Sequence, residues 1–111
     1  MNLSADIIFL ARAVKFDDVG SHLRKQLIRS LSSIILNYSE ALSAESRSDF
    51  IHKIKISLKE SRESHVCIEL MIKVGVLAEN STAKTLSELN EVIAILVKSC
   101  QTASKNNSKK N

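Results

Sequence analysis

The chain has no proline, no tryptophan and only two glycines in 111 residues. With so few residues to interrupt them, long helices can run unbroken, and a turn-rich β fold lacks the residues its turns require. Long apolar runs are missing too. The longest, VIAILV at 92–97, has six residues, far short of the about 20 that cross a bilayer. The N-terminal segment MNLSADIIFLARAV has no basic start and carries Asp6, unlike a secretion signal, so the expected location is the cytoplasm, with no membrane partner. Cys67 and Cys100 lie in helical patterns with no CxxC or Cys/His spacing, and buried reduced thiols are expected of both. The length fits one domain with a real core and is too short for two.

The net charge is +4, and it is unevenly spread. Residues 21–44 hold Arg24, Lys25 and Arg29 against Glu40 alone, and three lysines fall in the last seven residues. A mild basic excess suits a polyanion partner and is also common on soluble proteins, so alone it decides little.

Helical periodicity divides the chain into four segments, at about 4–16, 21–43, 47–74 and 82–103. Ile7, Ile8, Leu10, Ala11 and Val14 stripe the first, which Asp17, Asp18 and Gly20 interrupt. Leu23, Leu27, Leu31, Ile34, Tyr38 and Ala41 stripe the second at bundle-seam spacing. Ser46 with Asp49 resembles a capping box at the start of the third, and Gly75 fits the residue just past its end. Asn80 or Ser81 is placed to cap the fourth, whose Leu86, Leu89, Ile93, Leu96 and Cys100 repeat in register. Residues 1–104 therefore read as an all-α, antiparallel up-down four-helix bundle, and 105–111 as an unstructured basic tail.

The third helix is apolar on two sides. Phe50, Ile51, Ile54, Leu58, Ile68 and Ile72 make one face, whereas Ile56, Cys67, Leu70 and Val74 project nearly opposite, as Leu36 does on the second helix. A helix apolar on two sides needs two partners: either the fourth helix covers the second side or copies of the chain do, and the preferred expectation is a homo-oligomer closed through Leu36, Ile56, Cys67, Leu70 and Val74. Ser30, Ser33 and Asn37 flank the core face of the second helix, with Ser57 and Ser61 as the matching small-residue surface on the third. Asn37 and Glu40 sit beside the seam, where polar contacts specify how the helices pair.

In the second and third helices, Gln26, Leu27, Arg29 and Ser30, then Ser33, Ile34, Asn37 and Glu40, are followed after a break by Ser46, Asp49, Phe50, Lys53, Ile56, Lys59, Glu60 and Glu63. This order resembles the bacterial four helix bundle protein family, also called the ribosomal-RNA intervening-sequence protein family. It includes the accessory variability determinant of diversity-generating retroelements. The match spans roughly residues 21–78. Ile35 and Leu36 replace small residues usual before the asparagine, and Val66 and Cys67 replace a common aromatic pair. The resemblance implies an antiparallel four-helix bundle assembling as a barrel-like homopentamer. For retroelement members it implies a basic surface that binds RNA or DNA and a reverse-transcriptase partner.

Catalysis is not expected. A di-iron bundle needs Glu-x-x-His on two helices, and only Asp49-Phe-Ile-His52 has an acid three before a histidine. Glu63, His65 and Cys67 diverge around the helix, His65 falling on the core face, and no glycine-rich phosphate loop exists. No metal, cofactor or small-molecule substrate is expected. The candidate nucleic-acid residues are Arg24, Lys25 and Arg29 on the second helix and Lys53, Lys55, Lys59 and Arg62 on the third. Asp49–Lys53 and Lys59–Glu63 are spaced as i, i+4 pairs, the mark of a solvated surface. Phe9, Phe16, Tyr38 and Phe50 all fall on apolar stripes, so binding would be to phosphates rather than by base stacking. Five copies would multiply the +4 of each chain to about +20. The alternative is a protein-interaction scaffold with no nucleic-acid role.

Overall fold

The computed structural model describes residues 3–13 and 17–109, with side chains at 5, 6, 8–10, 12, 13 and 17–105. Four helices make up the described fold: α1 (Leu3–Ala13), α2 (Asp18–Leu42), α3 (Arg47–Lys73) and α4 (Ala83–Lys109), with a 3-10 turn at Glu79–Ser81 before the last. The expected first helix ends within the described residues at Ala13; Val14 and Phe16 lie outside them. α2 starts three residues earlier than its apolar stripe suggests, because Asp17 caps it: the carboxylate accepts from the Gly20 N–H. α4 runs to Lys109 rather than ending near 103; its polar last turns contain neither proline nor glycine, so nothing in them stops a helix.

Both expected ends of α3 have clear chemistry. Ser46 Oγ accepts from the Asp49 N–H at 3.0 Å. At the other end Gly75 takes φ +83°, the Gly75 N–H donates to the Ile72 carbonyl and the Val76 N–H to the Met71 carbonyl, both at 3.1 Å. That pair of bonds is the Schellman arrangement, which needs a left-handed residue just past the helix. It turns the chain inward, so that Val76 and Leu77 are buried. At α4 the expected caps fail: Asn80 and Ser81 lie in the 3-10 turn, and the hydroxyls of Ser81 and Thr82 donate back to the Ala78 and Glu79 carbonyls.

α3 is the central helix, packing on α2 along one side and α4 along the other, while α1 touches α2 and α4. Contacts pair Leu23 with Cys67, Arg29 with Glu60, Ile34 with Ser57 and Glu40 with Lys53, so α2 and α3 run in opposite directions. The α2–α3 seam is built of serine. Ser30, Ser57, Ser61 and Ser64 are all buried. Ser57 Oγ donates across the seam to the Ile34 carbonyl at 2.9 Å, while Ser61 and Ser64 donate to carbonyls one turn back. Each hydroxyl is thus satisfied without occupying volume, and the backbones approach closely.

The core has two parts. Leu10, Leu27, Leu31, Ile34, Cys67, Ile68, Met71 and Leu89 belong to the larger, at the end α1 covers. Ala41, Ile54 and Leu96, with Phe50 and Leu58 against them, make the smaller one at the far end. α1 has 11 residues and α2 has 25, about 16 Å against about 38 Å. Beyond the reach of α1 the seam stripe of α2 is only partly covered: Ala41 stays buried, but Tyr38, expected in the core, is exposed. So are Ile8 and Phe9 on α1 itself; among the described side chains of α1, Leu10 is the one fully buried, and those of Ile7 and Ala11 lie outside the described residues.

Candidate nucleic-acid interface

The seven candidate cations are not equivalent. Arg29 lies 3.4 Å from Glu60 and 3.5 Å from Glu63 across the α2–α3 seam, and also donates to Ser30 Oγ at 3.1 Å. Glu60 is buried within that seam, so Arg29 neutralises a carboxylate that would otherwise stand alone. Lys53 lies 2.7 Å from Glu40, and its hydrogen bond to that carboxylate, then the attraction of its charge, push the lysine above its ordinary pKa. These cross-seam pairs replace the i, i+4 pairs expected from spacing. Arg24 is half-buried and has an interaction of its own. Lys25, Lys55, Lys59 and Arg62 are exposed, and no hydrogen bond or ion pair holds them among the described residues.

Lys55, Lys59 and Arg62 repeat at i, i+4 and i+7, which sets them on one outward stripe of α3 over about 10 Å. Lys25 stands on the exposed back of α2. Between the two helices runs a trough of about 480 Å³, lined by Arg29, Arg62, Glu63, Val66 and Leu70 among others. Its floor is apolar and its rim carries both signs of charge. A phosphodiester meeting the α3 stripe would find Lys55, Lys59 and Arg62 solvated and ready, with Arg29 and Lys53 already occupied and Lys25 apart on α2.

The five residues expected to join copies of the chain separate as well. Leu36, Leu70 and Val74 are exposed, Leu36 by 62%. Ile56 is half-buried. Cys67 does not point outward. It sits in the larger core cluster with Sγ 3.8 Å from the Leu23 carbonyl, and burial pushes its thiol pKa up. Its place on a helical wheel looked outward because the buried arc of α3 is widened by Ser57, Glu60 and Ser64, which an apolar pattern does not count. Sequence reasoning also missed an apolar groove of about 390 Å³ between α2 and α4, lined by Ile34, Ile35, Tyr38, Leu42, Val92 and Ile95. The signal was present in the short first helix beside two long ones.

Asn37 donates to the carbonyl and hydroxyl of Ser33 in its own helix, at 2.9 and 3.0 Å, rather than to a neighbour. His65 Nδ1 lies 2.6 Å from Glu69 on the half-exposed flank of α3, not in the core. No group of three or more metal-ligating side chains comes together among the described residues, and none of their helices is long and apolar enough to cross a membrane.

A short first helix, a serine-lined α2–α3 pair and a basic outer ridge define a small all-helical bundle protein. The chain belongs to the 23S rRNA-intervening sequence protein family, whose model matches residues 1–98. A solved structure from Bacteroides thetaiotaomicron, a protein of unknown function from the S23 ribosomal protein family, is similar to it. The identity is 29% over 89% of this chain and 88% of that one, with a TM-score of 0.74. No curated protein matches the chain.

Proposed function

We propose that this chain is a non-enzymatic, cytoplasmic nucleic-acid-binding protein that works as an antiparallel up-down bundle assembled into a homo-oligomeric barrel. The observation that carries the reading is the unpaired, solvated set Lys25, Lys55, Lys59 and Arg62, beside two cations that the fold has already neutralised. Membership of a family described by the 23S rRNA intervening sequence supports RNA as the first ligand to try. A role beside a reverse transcriptase fits the same surface. Five copies would bring the ridges of neighbouring chains within reach of one strand, and affinity would rise by avidity without new contacts.

Recognition on this ridge is of phosphate. Exposed Phe9 and Tyr38 do not line the trough, and no aromatic among the described residues does. Binding should therefore be weakly sequence-selective and steeply salt-dependent. Four phosphates neutralised per chain give a slope of about −3.6 in log K against log salt on duplex, a loss of about 10²-fold between 50 and 200 mM. Titration of labelled single- and double-stranded RNA and DNA at both salts tests this. No binding at 50 mM refutes it. The second reading, a protein-interaction scaffold, is favoured by the exposed groove between α2 and α4, and it becomes the working account if nucleic acid fails to bind.

A further inference from the structure

One face of α2 carries more apolar surface than the bundle covers. Ile28, Leu31, Ile35, Tyr38 and Leu42 follow one another at spacings of three and four, the pattern of a second helix seam. Leu31 is buried, but Ile28, Ile35, Tyr38 and Leu42 are exposed, Leu42 by 67%. α2 and α4 each pack mainly on α3. The space left between them is the groove that holds Ile34 and Leu96 at its buried side and exposed Ile95 on the α4 wall. No charged residue lines it.

The same stretch of α2 also carries a knob. Leu36 stands two residues from buried Ile34, about 200° around the helix, and is 62% exposed on the side turned away from the bundle. Ser32 and Ser39, one turn to either side of it, are small and uncharged, and nearby Glu40 is already paired with Lys53. Along the helix axis Leu36 lies within about 3 Å of Ile35 and Tyr38. Knob and groove therefore stand at one height, on different sides of α2.

We propose, resting on the homo-oligomeric reading above, that Leu36 of one copy seats in the α2–α4 groove of the next, and that this joint, repeated, closes the ring. A contact between two different faces grows into a filament when successive copies are displaced along the axis, and it closes when rotation alone relates them. For copies standing parallel, a knob and groove at one height remove the displacement. The joint sets apolar surface against apolar surface with no charge in the groove to desolvate. Lys55, Lys59 and Arg62 stay clear of it on α3. Leu70 and Val74, the other exposed residues expected between copies, lie at the C-terminal end of α3 and take no part.

Tyr38 is the one tyrosine of a chain without tryptophan, so intrinsic fluorescence reads the groove directly. On nuclease-treated protein at physiological salt, light scattering gives the mass and acrylamide quenching gives the cover over Tyr38. Leu36→Glu removes the knob; Leu42→Glu with Ile95→Glu removes the groove. All three positions are exposed, and circular dichroism checks that each variant keeps its helices. The wild type should hold one multi-chain mass as concentration rises, with Tyr38 quenched several-fold less than free tyrosine. Each variant alone should be a single chain with Tyr38 open to the quencher. Mixed in equal amounts, the two should form a two-chain species and nothing larger, because each pair holds one intact knob and one intact groove. A wild type that is a single chain overturns the proposal together with the oligomeric reading, and leaves the groove to a helix of another protein. An assembly that keeps its mass in either variant overturns the proposal alone, as does a mixture with no two-chain species at millimolar concentration.

Discussion

Replacing Ser61 with leucine forces a large side chain into the seam where α3 meets its neighbours. Ser61 is fully buried, and its hydroxyl donates only to the Ser57 carbonyl one turn back in the same helix. The site is therefore small by construction, with buried serines at 57 and 64 on either side. Overfilling a packed core costs about 1–3 kcal/mol, and a fully buried site with buried serines a turn away on either side points to the upper half of that range. Ser61→Ala removes one back-bonded hydroxyl that slightly strains the helix, so its effect should stay within about 0.5 kcal/mol. Urea unfolding reads both. With a slope of about 2 kcal/mol/M, a loss of about 2 kcal/mol moves the midpoint by about 1 M. If Ser61→Leu unfolds at the wild-type midpoint, the helices are not in close contact at that serine, and the packing account fails.

Other outcomes follow from single positions. Gly75→Ala should destabilise by about 1–2 kcal/mol, because an L side chain is strained at φ +83° although nothing lies within 4 Å of its added carbon; thermal or urea melts check this. Leu10→Ala should cost about 2–5 kcal/mol if α1 closes the larger core cluster, and near zero if α1 is only laid on the surface. Lys53 has a folded pKa above 10.5, so its pairing with Glu40 contributes fully below 10.5 and fades as pH rises past the raised value; Glu40→Gln should flatten that part of a stability-versus-pH curve. Lys25→Glu, on the exposed back of α2, should leave stability within about 0.5 kcal/mol of wild type.

The helices were legible in the sequence wherever a local device marks them. Seam spacing in α2, the Ser46 cap and the Gly75 stop each act within a few residues, and each appears in the fold. What the sequence hid depends on neighbours far along the chain. Tyr38 has the register of a core residue, but register says which way a side chain faces, not whether another helix stands there, and α1 is too short to reach it. Cys67 was misplaced for the opposite reason: buried serines and Glu60 enlarge the covered arc of α3, and polar letters do not register as core. The basic ridge was half legible. All seven cations were named from the sequence, but only the seam contacts with Glu60 and Glu40 separate Arg29 and Lys53 from the solvated four.

That separation is the central claim, and two variants test it directly. In the first, Lys25, Lys55, Lys59 and Arg62 are changed to glutamate; in the second, Arg29 and Lys53 are changed to glutamine. Both are titrated with labelled RNA at 50 mM salt beside the wild type. The account predicts that the first variant loses binding and the salt dependence with it, while the second binds within a few-fold of wild type. Binding that survives the fourfold reversal would contradict it, as would binding that depends on Arg29 and Lys53 instead.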